Sequence, residues 1–282
     1  MEASGPNEGV LNKAKRALSA IISVMAILCF GNSINAKERD LYSLPKDLKD
    51  DFAYIASAPS RLDKKSAAIT LGIIGAGAAV YSQDEKIREF FQDRKVQAAD
   101  NISFVAEKLG NGVYDIAFLT LYGGSGFLTD NEKMQETALH SFEAFVVANT
   151  FGAAIKATTG RARPYLNEGS GRFSLGSFDS DHTSFPSGHT VSAFSIASVF
   201  SAESESPWVS GAAYGLASLA ALQRVYSDNH WASDVLSGAA LGTAVGRGIV
   251  WLHRTKGAEN VFLIPTAEPG EKRYGLTMVV RF

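Results

Sequence analysis

Apolar and polar positions along this chain follow two different periods. From Ala67 to His253 the apolar residues fall in runs and stripes of helical spacing, and from Val261 onward they alternate with period two. The helical part begins with a Gly/Ala-rich run, Ala67 to Tyr81, flanked by Lys64-Lys65 and Asp84-Glu85. An amphipathic stretch over 84–109 follows, then the apolar run Val113 to Leu128, interrupted by Gly123-Gly124-Ser125-Gly126. A long helix is predicted over Gln135 to Thr158, carrying His140 and Glu143. After a Gly/Ser/Asp-rich loop over 165–185, three more helices are expected: Pro186 to Ser201, Trp208 to Val225 and Trp231 to His253. In the tail, Val261 to Pro265 and Tyr274 to Phe282 flank the turn Glu268-Pro269-Gly270-Glu271-Lys272, the pattern of a β-hairpin. The fold class read from this pattern is all-α, a helical bundle with a short C-terminal β-hairpin.

The ends set the domain boundaries. Lys13, Lys15 and Arg16 precede the apolar run Leu18 to Phe30, and Asn32 to Ala36 supplies small residues, so 1–36 reads as a signal peptide or an N-terminal anchor. Residues 37–65 are a charged, exposed lead-in with a short amphipathic helix near 46–57. Residues 66–255 read as one helical domain, and 256–282 as the hairpin tail.

Composition narrows the function classes. The chain has 282 residues, of which 46% are hydrophobic, so it can bury a sizeable core. A formal net charge of −2 offers nucleic acid no basic surface. The single cysteine, Cys29, excludes an intrachain disulfide and any thiolate metal cluster. Most apolar runs are about 15 to 18 residues long, at or below the roughly 20 that a membrane crossing takes. If the N-terminus lies inside and the segments near 17–35, 67–81, 113–128 and 137–157 all cross, Lys156 emerges on the inner side. An exported chain would carry its polar segments outside, so either one segment does not cross or the bundle is not transmembrane.

The chemistry is concentrated in three polar clusters between Lys156 and Asp234. Lys156 and Arg163 are seven residues apart, close to two helical turns if the helix persists. Pro186-Ser187-Gly188-His189 reads as a helix start, with Pro186 in the first turn and the N–H groups of Ser187 and Gly188 free to meet an anion. His230 and Asp234 are four apart and would share a helical face, with Asp228 as a cap; the carboxylate would fix one imidazole nitrogen and leave the other free to attack. Arg224 adds a third cation. Three cations, backbone donors, two histidines and a carboxylate suit a phosphoryl group, whose transfer depends on positioning and charge stabilisation.

At these residues the chain resembles the type 2 phosphatidic acid phosphatase and vanadium haloperoxidase superfamily. That family shows Lys-x6-Arg-Pro, Pro-Ser-Gly-His and Ser-Arg-x5-His-x3-Asp; here they stand as Lys156 to Arg163-Pro164, Pro186 to His189, and Gln223-Arg224 to His230 to Asp234. Gln223 replaces the usual serine. The resemblance implies that His230 is the nucleophile, oriented by Asp234, and that His189 is the acid. It implies that Lys156, Arg163, Ser187, Gly188 and Arg224 bind phosphate, with no metal and no cofactor. The expected activity is an exported phosphatase in the cell envelope, its active site facing the periplasm, that cleaves lipid phosphates through a phospho-histidine. A soluble non-specific acid phosphatase, a vanadium haloperoxidase and a non-catalytic envelope lipid-binding protein are the alternatives. The expected partners are a phosphorylated lipid or small phosphomonoester and the membrane, with no nucleic acid. His182 reads as an ordinary loop histidine.

Overall fold

Helix α6, Glu132–Thr159, is the axis on which both ends of the bundle are hung. Asn131 starts it by accepting a bond from the Met134 N–H, and Gly160 stops it by taking the left-handed conformation at φ 58°. The structure is a computed structural model that describes residues 44–177, 179–259, 261–267 and 274–280. Among them are α1 (Leu44–Ala56), α2 (Lys64–Tyr81), α3 (Asp84–Gln92), α4 (Gln97–Ala106) and α5 (Gly112–Leu128) ahead of α6. After it come α7 (Gly188–Ser204), α8 (Pro207–Tyr226) and α9 (Ala232–Glu259). Two antiparallel strands, β1 (Val261–Ala267) and β2 (Tyr274–Val280), follow, with Val261 opposite Val280. The signal-like stretch 1–36 lies outside the described residues.

The long helices fall where their periodicity put them. The amphipathic stretch over 84–109 does not: it is two helices, α3 and α4, separated near Asp93 to Val96, where charge and a β-branched residue replace the apolar stripe.

The core lies where α7, α9 and α6 meet. Ala144, Val147 and Ala148 of α6 pack with Val191 and Val199 of α7 and Val245, Ile249 and Val250 of α9. Each fully buried valine or isoleucine there contributes about 1.5–3 kcal/mol. Gly238, Gly242 and Gly246 recur every fourth residue on α9 and face the α7 backbone; a Cβ on Gly242 would sit 2.6 Å from the Val191 carbonyl oxygen. This glycine face lets two helices approach more closely than side chains allow, and it holds the start of α7 against the start of α9.

The outside of the bundle is unusually apolar. No residue of α2 is buried, although Ile69, Leu71, Ile73 and Ile74 lie on it. Phe118, Leu121 and Leu128 on α5 and Leu216, Leu219 and Leu222 on α8 are also exposed. Among the described residues two helices are long and apolar enough to cross a membrane, Glu132–Thr159 and Ala232–Thr255; α2 with α3, bent by 56°, makes a third if the pair is one span.

Candidate active site

The three polar clusters meet at one end of the bundle, where α6 and α8 finish and α7 and α9 begin. Because α6 ends at Thr159, Lys156 and Arg163 do not share a helix as their spacing allowed. The chain beyond Gly160 runs extended instead. Arg161 bridges Phe173, the Arg163 N–H donates to the Asp181 carbonyl, and the Ser184 N–H donates to the Arg161 carbonyl. This loop lattice carries Arg163 back toward Lys156.

The cations are held by neutral groups. Lys156 Nζ donates to the carbonyls of Thr183 at 2.6 Å and Ser184 at 3.5 Å. Arg163 donates from Nε to the Ser180 carbonyl at 2.9 Å and reaches the Asn229 carbonyl at 3.4 Å. Arg224 donates to Gln223 Oε1 at 3.1 Å, while its Nε is buried with no partner. Among the described residues none of the three is ion-paired with a carboxylate. Gln223, at the usual serine position, supports Arg224 and ties α8 to Ser103 of α4.

Helix α7 begins at Gly188 with Ser187 as its cap, so Pro186 lies before the helix, in a cis peptide bond, rather than in its first turn. The Ser187 N–H is not free either: it donates to the Asp234 carbonyl at 3.1 Å and joins the starts of α7 and α9. The Gly188 N–H has no protein partner among the described residues and remains the amide available to an anion. A Cβ on Gly188 would lie 3.7 Å from Lys156 Cε, so the lysine stem runs beside this helix start. His189 is one residue on, its Nε2 buried without a partner.

His230 and Asp234 do come together, but not on a helix face. His230 precedes α9, and its N–H donates to the Arg224 carbonyl. Its Nδ1 is 3.8 Å from Asp234 Oδ2, too far for a hydrogen bond. Ser184 fills the gap: its Oγ donates to Asp234 Oδ2 at 2.5 Å and lies 3.4 Å from His230 Nδ1. With its hydrogen committed to the carboxylate, Ser184 Oγ can only accept from Nδ1–H, which leaves Nε2 of His230 with the lone pair. Asp228 does not cap α9. It takes two bonds from Arg88, both at 2.7 Å, and sits at φ 61°.

Sequence reasoning missed Arg161, which anchors this arrangement and is 1% exposed. Its guanidinium donates to Asp234 Oδ1 at 2.5 Å, to Asp84 Oδ2 at 2.8 Å and to the Ser170 carbonyl. Tyr81, Phe173 and Trp231 surround it, with ring centroids 4.9, 5.6 and 5.5 Å away. Asp84 in turn accepts from the Ser233 N–H and hydroxyl, so a carboxylate from α3 caps α9. Ser184 and Asp84 were missed as well. His182 stays in its loop, near Asp179 and Glu168.

The electrostatics follow from burial among cations. Burial first, then the charges of Arg224, Arg163 and Lys156, pull the His189 pKa down to about 4. Burial lowers His230 to about 3; Asp234 opposes this, and Lys156 and Arg163 add to it. Burial and Arg163 bring Arg224 down to about 10. Both histidines are therefore neutral at pH 7, in a pocket whose fixed charges are positive.

Comparison with known proteins bears on the same region. The model of the PAP2 superfamily matches residues 137–258. A lipid A 1-phosphatase of Porphyromonas gingivalis is 46% identical over 87 residues, which are 29% of this chain and 20% of that relative, so the chain spans only a fifth of the relative's length. Among solved structures, Aquifex aeolicus LpxE is 23% identical with a TM-score of 0.45, over 60% of this chain and 94% of that one. A transmembrane PAP2 type phosphatidylglycerolphosphate phosphatase from Bacillus subtilis is 20% identical with a TM-score of 0.49, over 67% of this chain and 96% of that one. The span that the family model matches holds Lys156, Arg163, His189, Arg224, His230 and Asp234, so it is over residues 137–258 that the chain matches the PAP2 superfamily.

Proposed function

We propose that this chain is a membrane-associated, exported phosphatase that hydrolyses phosphomonoesters of lipids through a phospho-histidine. The observation that carries the reading is the set of cations with neutral partners only, beside two buried nitrogens without partners, His189 Nε2 and Arg224 Nε. A phosphoryl group supplies the negative charge and acceptors that this pocket lacks. Lys156, Arg163, Arg224 and the Gly188 N–H take its non-bridging oxygens. Ser187 fixes the start of α7 through its amide, and its hydroxyl, which accepts from Thr190 Oγ1, keeps its own proton to donate to the phosphate.

In this mechanism His230 Nε2 attacks phosphorus and the ester P–O bond breaks. His189 protonates the departing alkoxide. Neutral His189 then takes a proton from water, the hydroxide attacks the phospho-histidine, and the P–N bond breaks to release phosphate. Asp234, through Ser184, keeps the Nδ1 proton of His230 in place and stabilises the charge that forms on the ring.

A lipid substrate is supported by the exposed apolar faces of α2, α5 and α8 and by a groove between α4 and α8. The groove has a volume of about 430 Å³ and is lined by Ile102, Val105, Ala106, Leu109, Leu216 and Leu219. It lies between the two helices that Gln223 joins through Ser103. The matched relative makes a lipid A 1-phosphate one candidate, with phosphatidate-like lipids and prenyl pyrophosphates as others. Export rests on the basic and apolar pattern of residues 13–36. Phosphate release from purified, detergent-dispersed protein tests the reading. At least one of these lipids should exceed p-nitrophenyl phosphate by about tenfold or more in kcat/KM, because remote contacts contribute to the transition state. Equal or better turnover of the soluble ester would replace it with a non-specific acid phosphatase.

The pH profile gives a second check. In the free site His230 is a nucleophile above about 3 and His189 is an acid below about 4, so kcat/KM should be highest on the acid side. A bound phosphate offsets the cations and raises the His189 pKa, so the alkaline limb of kcat should lie above that of kcat/KM. Arg224→Gln removes a positive neighbour and should move the alkaline limb of kcat/KM upward while lowering its maximum. A limb that stays in place in that variant belongs to the substrate phosphate and not to His189.

A further inference from the structure

A second cluster of ionisable side chains lies at the other end of α6 and α9. His140 is 16 residues before Lys156 on α6, and His253 is 19 residues after Asp234 on α9; at 1.5 Å per residue the cluster is roughly 25 Å from the phosphate pocket. His140 and Glu143 are three apart and share a face of α6. One ligand atom from each of His140, Glu143 and His253 lies within 4.8 Å of the other two. Asp51 of α1 adds a carboxylate, with Oδ2 3.7 Å from His253 Nε2. The group is buried: His140 is 5% exposed, Glu143 1% and Asp51 0%.

The cluster contains the His253–Glu143 ion pair and is otherwise short of hydrogen bonds. Both oxygens of Asp51, Oε2 of Glu143, Nε2 of His140 and Nε2 of His253 are buried without a hydrogen-bond partner. His253 Nε2 lies 2.9 Å from Glu143 Oε2 and 3.7 Å from Asp51 Oδ2, an ion pair when the ring is protonated, and a bound metal would take the place of that proton. His140 is held from its outer side, where Nδ1 meets Glu203 Oε1 at 3.0 Å, and Arg254 backs Glu203. A carboxylate that accepts the Nδ1 proton turns the Nε2 lone pair of His140 inward, toward atoms that are themselves acceptors. Three buried ligand atoms within 4.8 Å of one another make a place where a divalent cation can replace the proton of His253. The outer carboxylate behind an imidazole ligand is the arrangement that orients histidines on metals. Ligand atoms about 2.0–2.2 Å from a tetrahedral ion lie about 3.3 Å apart, within the spread seen here.

We infer that His140, Glu143 and His253, with Asp51 beside them, bind one divalent transition-metal ion of the zinc class. Two imidazoles and a carboxylate suit such an ion better than Mg²⁺ or Ca²⁺, which prefer all-oxygen sites. Buried between α6 and α9, the ion is structural: it ties the two helices together beside Asp51 of α1, where Leu48, Phe52 and Ile55 already pack on the core.

Zn²⁺ and Co²⁺ binding to the full-length chain tests this. Protein purified without chelator should carry about one equivalent of metal by elemental analysis. After chelation and reloading, Co²⁺ should show the intense visible absorption of a four-coordinate site. Glu203→Gln, which alters only the outer carboxylate, should weaken Zn²⁺ affinity by about 10–100-fold. His253→Gln should abolish the cobalt spectrum, and His230→Asn, in the distant pocket, should leave it intact. If His253→Gln does not fold, Zn²⁺ titration of the chelated wild type decides: a Zn²⁺-dependent rise in Tm that Mg²⁺ does not reproduce supports the site. Sub-stoichiometric metal with no such rise overturns it, as does a cobalt spectrum that His230→Asn removes.

Discussion

His230→Asn should retain the fold and lower phosphate release by on the order of 10⁴-fold or more. Asparagine approximates the ring's polarity and part of its volume, which matters because His230 is 3% exposed and alanine would leave a cavity beside Trp231. The amide nitrogen has no lone pair with which to attack phosphorus. Rapid alkaline quench with labelled substrate, which preserves the acid-labile P–N bond, separates nucleophile from acid. His189→Asn should still form some labelled protein, slowly, from substrates with good leaving groups, whereas His230→Asn should form none. Turnover within about tenfold of wild type in His230→Asn would overturn the phospho-histidine mechanism and leave only an anion-binding pocket.

The separation between what the sequence shows and what it hides follows contact distance along the chain. The long helices are legible because their signals are local. Asn131 and Gly160 bound α6, and the last four helices fall within a few residues of their periodic runs. The three motifs are legible because their spacings are short and their residue types rare in apolar surroundings. Arg161 is two residues from Arg163, yet its partners Asp84 and Asp234 are 77 and 73 residues away, and no local pattern pairs them. Ser184 and Ser187 are equally placed in the string Ser184-Phe185-Pro186-Ser187. Only the fold shows that Ser184 stands between His230 and Asp234 while Ser187 bonds to the backbone of α9. The helical reading of His230 and Asp234 failed because four-residue spacing also fits a loop that enters a helix, with Asp234 Oδ2 accepting from the Trp231 N–H across the first turn. His140 and Glu143 were visible on one face of a helix, but His253, 110 residues further on, was needed to make them a cluster.

Arg161→Met should be the most destabilising single substitution in the catalytic region. The guanidinium stands between two carboxylates, and Asp84 and Asp234 are at most 1% exposed. Methionine fills the space and keeps the aromatic contacts, but it leaves two buried negative charges uncompensated. Breaking a buried pair from one side costs about 3–5 kcal/mol. At about 2–4 °C per kcal/mol for a domain of this size, Tm should fall by roughly 10 °C. Lysine should rescue poorly, because a point charge cannot reach Asp84, Asp234 and the Ser170 carbonyl at once. The sign can be checked by removing one of the stranded charges. Asp84→Asn in the Arg161→Met background keeps an oxygen for the Ser233 N–H and deletes a charge, so the double variant should regain part of the lost Tm although it departs further from the natural sequence. An Arg161→Met variant within about 1 °C of wild type would show that the carboxylates find other partners. A double variant less stable than the single would show that Asp84 matters as the cap of α9 rather than as the counter-charge of Arg161. Activity distinguishes the two ends of the network. Where Arg161→Met is still folded, below its lowered Tm, Asp234 is released to swing away from Ser184. Turnover should then drop while binding of inorganic phosphate by Lys156, Arg163 and Arg224 persists, because those cations do not depend on Asp234 for their hydrogen bonds.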